Sequence, residues 1–279
     1  MIVASFFFFK DSAVEVQKLG GVTLIGLNRP ERRNAVDPPT ATLLYKAFKE
    51  FDNDTNAGVA VLYGKHGNFS AGFDLKTLSE GDLRHVDTEP NESDKGPMGP
   101  TRLQLSKPVI AAISGYAVAG GLELSLIADI RVVEESAKMG IFCRRFGVPL
   151  IDGGTVRLPH LIGLSRALDL ILTGREIDAH EAHQFGLANR VVPTGKGLDE
   201  AIKLAETLLN FPQKCMNRDR KSAYNAMFDA KSFKDAMQYE FKHGMEIIRE
   251  ESIPGAKRFS KGAGRHGNFR DIGDPKSKL

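Results

Sequence analysis

Two short glycine-bearing segments limit what this chain can become: Ser70-Ala71-Gly72-Phe73-Asp74 and Ala119-Gly120-Gly121-Leu122-Glu123. Each follows a compact apolar run, 58–63 in the first case and 109–113 in the second. Small residues where a strand gives way to a helix leave backbone N–H groups without intrahelical acceptors, at the positive end of the helix dipole. Two such turns brought together make a site for a developing oxyanion. Either segment alone also suits a tight turn or close helix packing.

The surrounding pattern is strand-rich first and helix-rich last. Alternation through Val14, Val16 and Leu19, and again through Val22, Leu24 and Leu27 across Gly20-Gly21, predicts an antiparallel hairpin. Leu43, Leu44, Ala47, Phe48 and Phe51 share a helical face behind Pro38-Pro39, and 58–63 returns as a buried strand. From 79 to 99 the chain is acidic and rich in Pro and Gly, which predicts a surface loop. Strand 109–113, helix 120–128 and strand 129–133 follow. Beyond Thr155 come helices over 156–161, 165–173 and 179–184, a strand over 188–192, and helices from Leu198 onward. This order predicts an α/β core domain over 1–197 and a C-terminal helical region over 198–279.

Composition narrows the function classes. With 38 Lys+Arg against 35 Asp+Glu the formal charge is +3, so no global field points to nucleic acid. Cys143 and Cys215 fit neither zinc-ligand nor disulfide spacing and are expected as free thiols. His180 and His183 lie one turn apart but lack the His-Glu-x-x-His pattern and a third ligand, so no metal is expected. No glycine segment has the endings that bind nucleoside triphosphates or NAD. The apolar run 1–9, with Phe6 to Phe9, is about half a membrane span and lacks signal-peptide flanks; it reads as a first strand or a partner contact. Ser277-Lys278-Leu279 is the tripeptide read by the peroxisomal import receptor, which predicts the peroxisomal matrix.

The glycine segments sit within longer motifs: Phe69-Ser70-Ala71-Gly72-Phe73-Asp74-Leu75-Lys76, Lys107-Pro108-Val109-Ile110-Ala111-Ala112, Gly115 through Leu124, and Ala128-Asp129-Ile130-Arg131. Together with Leu27-Asn28-Arg29-Pro30, Asn34-Ala35, Leu172-Thr173-Gly174-Arg175, Gly186-Leu187-Ala188 and Val192-Pro193, they closely resemble the crotonase (enoyl-CoA hydratase/isomerase) superfamily. The resemblance runs from about residue 14 to residue 270.

That resemblance implies a crotonase-like spiral of ββα units with a C-terminal helical region, and an enzyme acting on acyl-CoA thioesters through an enolate. It implies Phe73 and Gly120 as oxyanion donors and Glu123 as one of two catalytic carboxyls. It places Ala71 and Asp74 near the adenine of coenzyme A. Lys257, Arg258 and Lys261 would meet its phosphates or form an ordinary solvated basic face. Relatives form trimers that pair into hexamers. No cofactor is implied, because coenzyme A belongs to the substrate. Apolar Leu122, Leu124 and Leu126 around Glu123 should raise its pKa.

One position departs from the family. In Gly140-Ile141-Phe142-Cys143-Arg144-Arg145, Cys143 stands where a hydratase presents its second glutamate. A neutral thiol cannot hold and deprotonate water as a carboxylate does. Cys143 is expected to be buried rather than reactive. Asp152, in Leu150-Ile151-Asp152-Gly153-Gly154-Thr155, is adjacent to a position where some relatives carry a catalytic aspartate; it either supplies the missing carboxylate or caps the helix beginning near Thr155. Three activities stay open: hydration of a fatty 2-enoyl-CoA, double-bond isomerisation of a 3-enoyl-CoA or dienoyl-CoA, and acyl-CoA binding without turnover.

Overall fold

The computed structural model describes residues 12–81 and 94–265. The Phe6 to Phe9 run and Ser277-Lys278-Leu279 therefore lie outside the described residues. The chain divides into two compact units, one up to Leu105 together with Val109–Ala205, the other Ser106–Pro108 together with the residues from Glu206.

The first unit opens on the expected hairpin, β1 (Val14–Leu19) with β2 (Val22–Leu27), paired antiparallel with Leu19 opposite Val22. Helix α1 (Pro38–Asn53) starts at an Asp37 cap, whose Oδ1 accepts from Thr40 N at 2.9 Å, and buries Leu44, Ala47, Phe48 and Phe51. Next come β3 (Val59–Gly64) and α2 (Leu75–Ser79), then β4 (Val109–Ile113), β5 (Tyr116–Val118) and α3 (Gly120–Ser125). β6 (Ile130–Glu134), β7 (Lys138–Gly140), α4 (Gly154–Ile162), α5 (Leu164–Thr173), β8 (Glu176–Asp178), α6 (Ala179–Phe185) and β9 (Arg190–Val192) follow, and α7 (Gly197–Leu209) begins in it.

Two sheets result, ordered β1-β2-β3-β4-β6-β9 and β5-β7-β8. From β2 onward the larger sheet is parallel, and β2 and β4 are buried along their whole length, as strands covered on both faces must be. Before α3 and again before α4 the chain lays one strand in the large sheet and one in the small sheet, β4 with β5 and β6 with β7. At the turn after β3 the second strand shrinks to a single residue, Ser70, which bridges to Ala117 of β5. β5 and β7 are short strands that the sequence pattern does not reveal, and α3 ends at Ser125 rather than Ala128.

Arg131 is the largest fully buried side chain among the described residues. Its guanidinium donates to Ala128 O at 2.6 Å, Leu187 O at 2.7 Å and Asn189 Oδ1 at 3.3 Å, so it ties the start of β6 to the segment leading into β9. A fork of N–H donors suits this better than an ammonium group.

In the second unit α8 (Gln213–Tyr224) begins after Pro212, which offers no side-chain cap. Glu251 substitutes: its oxygens accept from Lys214 N at 3.0 Å and Cys215 N at 2.7 Å, a carboxylate on the free amides of a helix N-terminus. α9 (Phe233–Met245) and α10 (Ile253–Ser260) follow, and Arg218 of α8 pairs with Glu246 at 2.9 Å.

Replacing Arg131 by Met keeps much of its volume but strands buried carbonyls. Arg131→Met should lower the free energy of unfolding by about 2–4 kcal/mol in urea titrations, and Arg131→Lys should recover only part of the loss.

Candidate active site

Because β3 and β4 are parallel neighbours, the turns that follow them emerge at one edge of the sheet. Ser70 locks the turns together: its N–H donates to Tyr116 O at 2.8 Å, and its carbonyl accepts from Val118 N at 3.1 Å. Asn34 fixes the first turn from the other side. Its Nδ2 donates to Lys65 O at 2.9 Å and Asn68 O at 2.6 Å, and its carbonyl accepts from Ser70 Oγ at 2.8 Å. Asn34 is buried with φ +56°, a left-handed conformation that asparagine tolerates better than most residues.

The bridge from Val36 to Phe73 uses the groups flanking Phe73: Val36 N donates to Gly72 O at 2.8 Å and Asp74 N donates to Val36 O at 2.9 Å. The N–H of Phe73 is thereby left pointing away from Val36, and it has no acceptor among the described residues. The same holds for Gly120 N–H at the first position of α3. A methyl group built on Gly120 would lie 3.3 Å from Phe73 N, and one built on Gly72 would lie 3.0 Å from Gly120 N, so the two free amides are close neighbours. Between β5 and α3, Ala119 sits at φ +53°, ψ −127°, a strained geometry for a residue with a Cβ. It is held by its N–H donating to Gly140 O at 2.8 Å. Its position turns the start of α3 toward the first turn.

Glu123, one turn along α3, is buried. Its Oε1 accepts from Asp152 N at 3.0 Å and Gly154 N at 2.8 Å, while Oε2 has no hydrogen-bond partner among the described residues. Burial, reinforced by the nearby Asp152 charge, pushes its pKa up to about 7 against the pull of the two amides. The expectation of a raised pKa from apolar neighbours therefore agrees in direction, and the second carboxyl adds to it.

Asp152 is also buried, and its pKa is raised by burial while a hydrogen bond from Thr101, one from Met98 N, and the charges of Arg102 and Arg157 oppose the rise. Its Oδ1 accepts from Met98 N at 3.0 Å and from the Thr101 hydroxyl. The capping alternative fails: α4 has Gly153 at its N-cap with no side-chain cap, and the Asp152 carboxyl faces away to the 96–101 segment. Of the surface loop expected over 79–99, residues 82–93 lie outside the described residues, and Gly96, Met98 and Gly99 at its end are buried rather than on the surface. Gly96 and Gly99 exchange two 2.8 Å hydrogen bonds, and Met98 is wholly buried, its thioether 2.8 Å from where a Gly120 methyl would stand.

Cys143 is buried and its thiol pKa is raised, by desolvation first and the Glu123 charge second. Arg144 and Arg145 are turned to Ile171 O (3.1 Å) and Gly174 O (3.2 Å). The thiol is neutral and sits near Glu123, where the family expects a carboxylate. Cys215 is likewise a free thiol.

Ala71 is half-buried at the first turn and donates to Arg33 O at 3.0 Å. Asp74 is buried, caps α2 through Lys76 N at 3.1 Å, and pairs with Arg29 at 3.3 Å, so its carboxylate is occupied structurally. Lys257 and Lys261 are exposed and Arg258 half-buried, on α10 or just past its end, in the second unit. His183 bonds Ala188 O at 2.9 Å. Thr101, Met98 and Arg157 escape the sequence reading, because their partners lie more than fifty residues away and no periodicity marks them.

The folded chain holds the Glu123 proton more tightly than the unfolded chain does. Stability should therefore fall as pH rises from about 4.5 through about 7 and level off above. Glu123→Gln removes this slope and should melt roughly 5 °C higher than the parent at pH 8, with the gap closing toward pH 5, as read by calorimetry.

The chain is similar to known proteins over most of its length. The enoyl-CoA hydratase/isomerase family model matches residues 17–261. A Mycobacterium tuberculosis protein named enoyl-CoA hydratase is 38% identical over 201 residues, covering 69% of this chain and 73% of its own. A carnitinyl-CoA dehydratase from Salmonella paratyphi A is 37% identical over 200 residues, covering 71% and 75%. The crystal structure of an enoyl-CoA hydratase from Mycobacterium tuberculosis superposes with a TM-score of 0.82 at 31% identity, covering 89% of this chain and 96% of that one. An enoyl-CoA hydratase from Mycobacterium marinum gives the same TM-score at 30% identity with the same coverage. The chain has the crotonase fold and belongs to the enoyl-CoA hydratase/isomerase family.

Proposed function

We propose that this chain adds water across the conjugated double bond of a fatty 2-enoyl-CoA, reversibly, with Asp152 and Glu123 as its two working carboxyls. The observation that carries this reading is a pair of buried carboxyl groups, Glu123 one turn past the free Gly120 amide on α3 and Asp152, whose N–H donates to the Glu123 carboxylate. Both relatives' names, a hydratase and a dehydratase, denote the same water chemistry in opposite directions.

The thioester oxygen accepts the N–H groups of Phe73 and Gly120. As water attacks the β-carbon, electron density moves through the double bond to that oxygen, and each donor stabilises the enolate by about 2.7–4 kcal/mol. Asp152, with Arg102 and Arg157 favouring its anion, takes the proton of the attacking water. Glu123, whose pKa of about 7 keeps it partly protonated at neutral pH, delivers a proton to the α-carbon as the enolate collapses. Cys143 forms neutral wall where a carboxylate would otherwise compete for the same proton.

That neutral wall also favours a second reading. One carboxyl suffices to move a proton between two carbons, so a 3-enoyl-CoA or dienoyl-CoA isomerase needs no partner at Cys143. Incubation with crotonyl-CoA and a longer 2-enoyl-CoA, followed by mass, separates the two: gain of one water supports hydration. No water gain, with a shifted double bond from 3-enoyl-CoA, supports isomerisation.

The reading extends to assembly and location. A row of exposed apolar residues on α9, Phe233, Met237, Phe241 and Met245, supports assembly into trimers or hexamers, which native mass spectrometry tests. Import through Ser277-Lys278-Leu279 to the peroxisomal matrix is tested by a fluorescent protein fused ahead of residue 1, which should become diffuse once Leu279 is removed.

Glu123→Gln and Asp152→Asn should each lower kcat for hydration by about 10²–10⁴-fold with KM changed only a few-fold. Retention of full turnover in either variant refutes that residue's role.

A further inference from the structure

We infer that Thr101 is a positioning residue: its hydroxyl, with the Met98 amide, saturates Asp152 Oδ1 and leaves Oδ2 as the oxygen that meets water. The inference rests on the hydration reading, in which Asp152 is the base.

Three observations on one short segment carry it. The Thr101 side chain is fully buried, and its hydroxyl donates to Asp152 Oδ1 across fifty-one residues of sequence. Met98 reaches both halves of the site, with its N–H on the same Oδ1 at 3.0 Å and its thioether against Gly120. Gly96 closes the segment so tightly that a methyl there would stand 2.1 Å from Thr101 Oγ and 2.6 Å from Asp152 Oδ1. Arg157 braces the arrangement from α4, donating to Thr101 O at 2.7 Å and Asp152 O at 3.3 Å. An apolar core loop has no need of such bonds. A base that must present one oxygen in one direction does, because a freely turning carboxylate spreads its population over unproductive geometries.

Thr101 also acts on ionisation, since a hydroxyl donated to a carboxylate favours the anion. The charged groups facing Asp152 are Glu123 from α3, Arg102 from the turn that carries Thr101, and Arg157 from α4; Cys143 faces Glu123. Substituting Thr101 leaves all four in place.

The test compares Thr101→Val, Thr101→Ser and Asp152→Asn on 2-enoyl-CoA hydration across pH. Thr101→Val should lower kcat about ten-fold at neutral pH, leave KM within about two-fold, and move the acidic limb of the kcat profile to higher pH by about one unit. Thr101→Ser should restore both the rate and the limb. If Asp152→Asn abolishes hydration while Thr101→Val keeps the parent's rate and profile, the positioning role is wrong and the base survives. If Asp152→Asn itself hydrates normally, the reading beneath the inference fails. A rate loss in Thr101→Val with an unmoved limb and no rescue by Ser marks a packing residue and also overturns the proposal.

Discussion

The single-residue bridge between Ser70 and Ala117 holds the site together. β3 and β4 supply parallel direction and adjacency, but the turns beyond them are irregular backbone with no ladder of their own. Ser70 supplies the missing rung, bonding Tyr116 O and Val118 N through its main chain while its hydroxyl bonds Asn34 O. A methyl on Gly121 would stand 2.2 Å from Ser70 O, so the second turn can approach this closely only with glycine there. Without that approach the N–H groups of Phe73 and Gly120 would face separate directions.

Amides and carboxyls share the same backbone. Ala119, strained between β5 and α3, fixes where α3 begins, and α3 carries both Gly120 and Glu123. Glu123 in turn accepts from the backbone of Asp152 and Gly154, so the position of one carboxyl determines where the chain bearing the other can run. Desolvation is the largest influence on both groups, and hydrogen bonds oppose it at each. The asymmetry between them comes from charge. Two arginines stand near Asp152, whereas the leading charge felt by Glu123 is Asp152 itself. Two carboxyls so placed avoid ionising together, which suits one for giving and one for taking a proton.

Cys143 belongs to the same economy of charge. A second glutamate beside Glu123 and Asp152 would put three carboxyls into one buried region, at a desolvation cost that few nearby cations could offset. A buried thiol, with its pKa raised by desolvation and by Glu123, stays neutral. The departure from the family pattern and the presence of Asp152 are thus two sides of one arrangement.

Much of this was legible in the residues themselves. Alternation and a Gly-Gly turn set the first hairpin, Asp37 and Pro38 set α1, and the continuous apolar run 109–113 marks a strand buried on both faces, because these signals act within a few residues of chain. Motif order identified the family and drew attention to the two glycine turns and Glu123. Tertiary structure alone decided the rest. It turned Asp152 from a plausible helix cap into a carboxyl bound to Met98 and Thr101, occupied Asp74 with Arg29, and drew Met98 out of an apparent surface loop into the core. The physical reason is range: caps, turns and periodicity are encoded by neighbours, whereas the hydrogen bonds and charges that set a buried carboxyl's partners and proton affinity join segments that only the folded chain brings together.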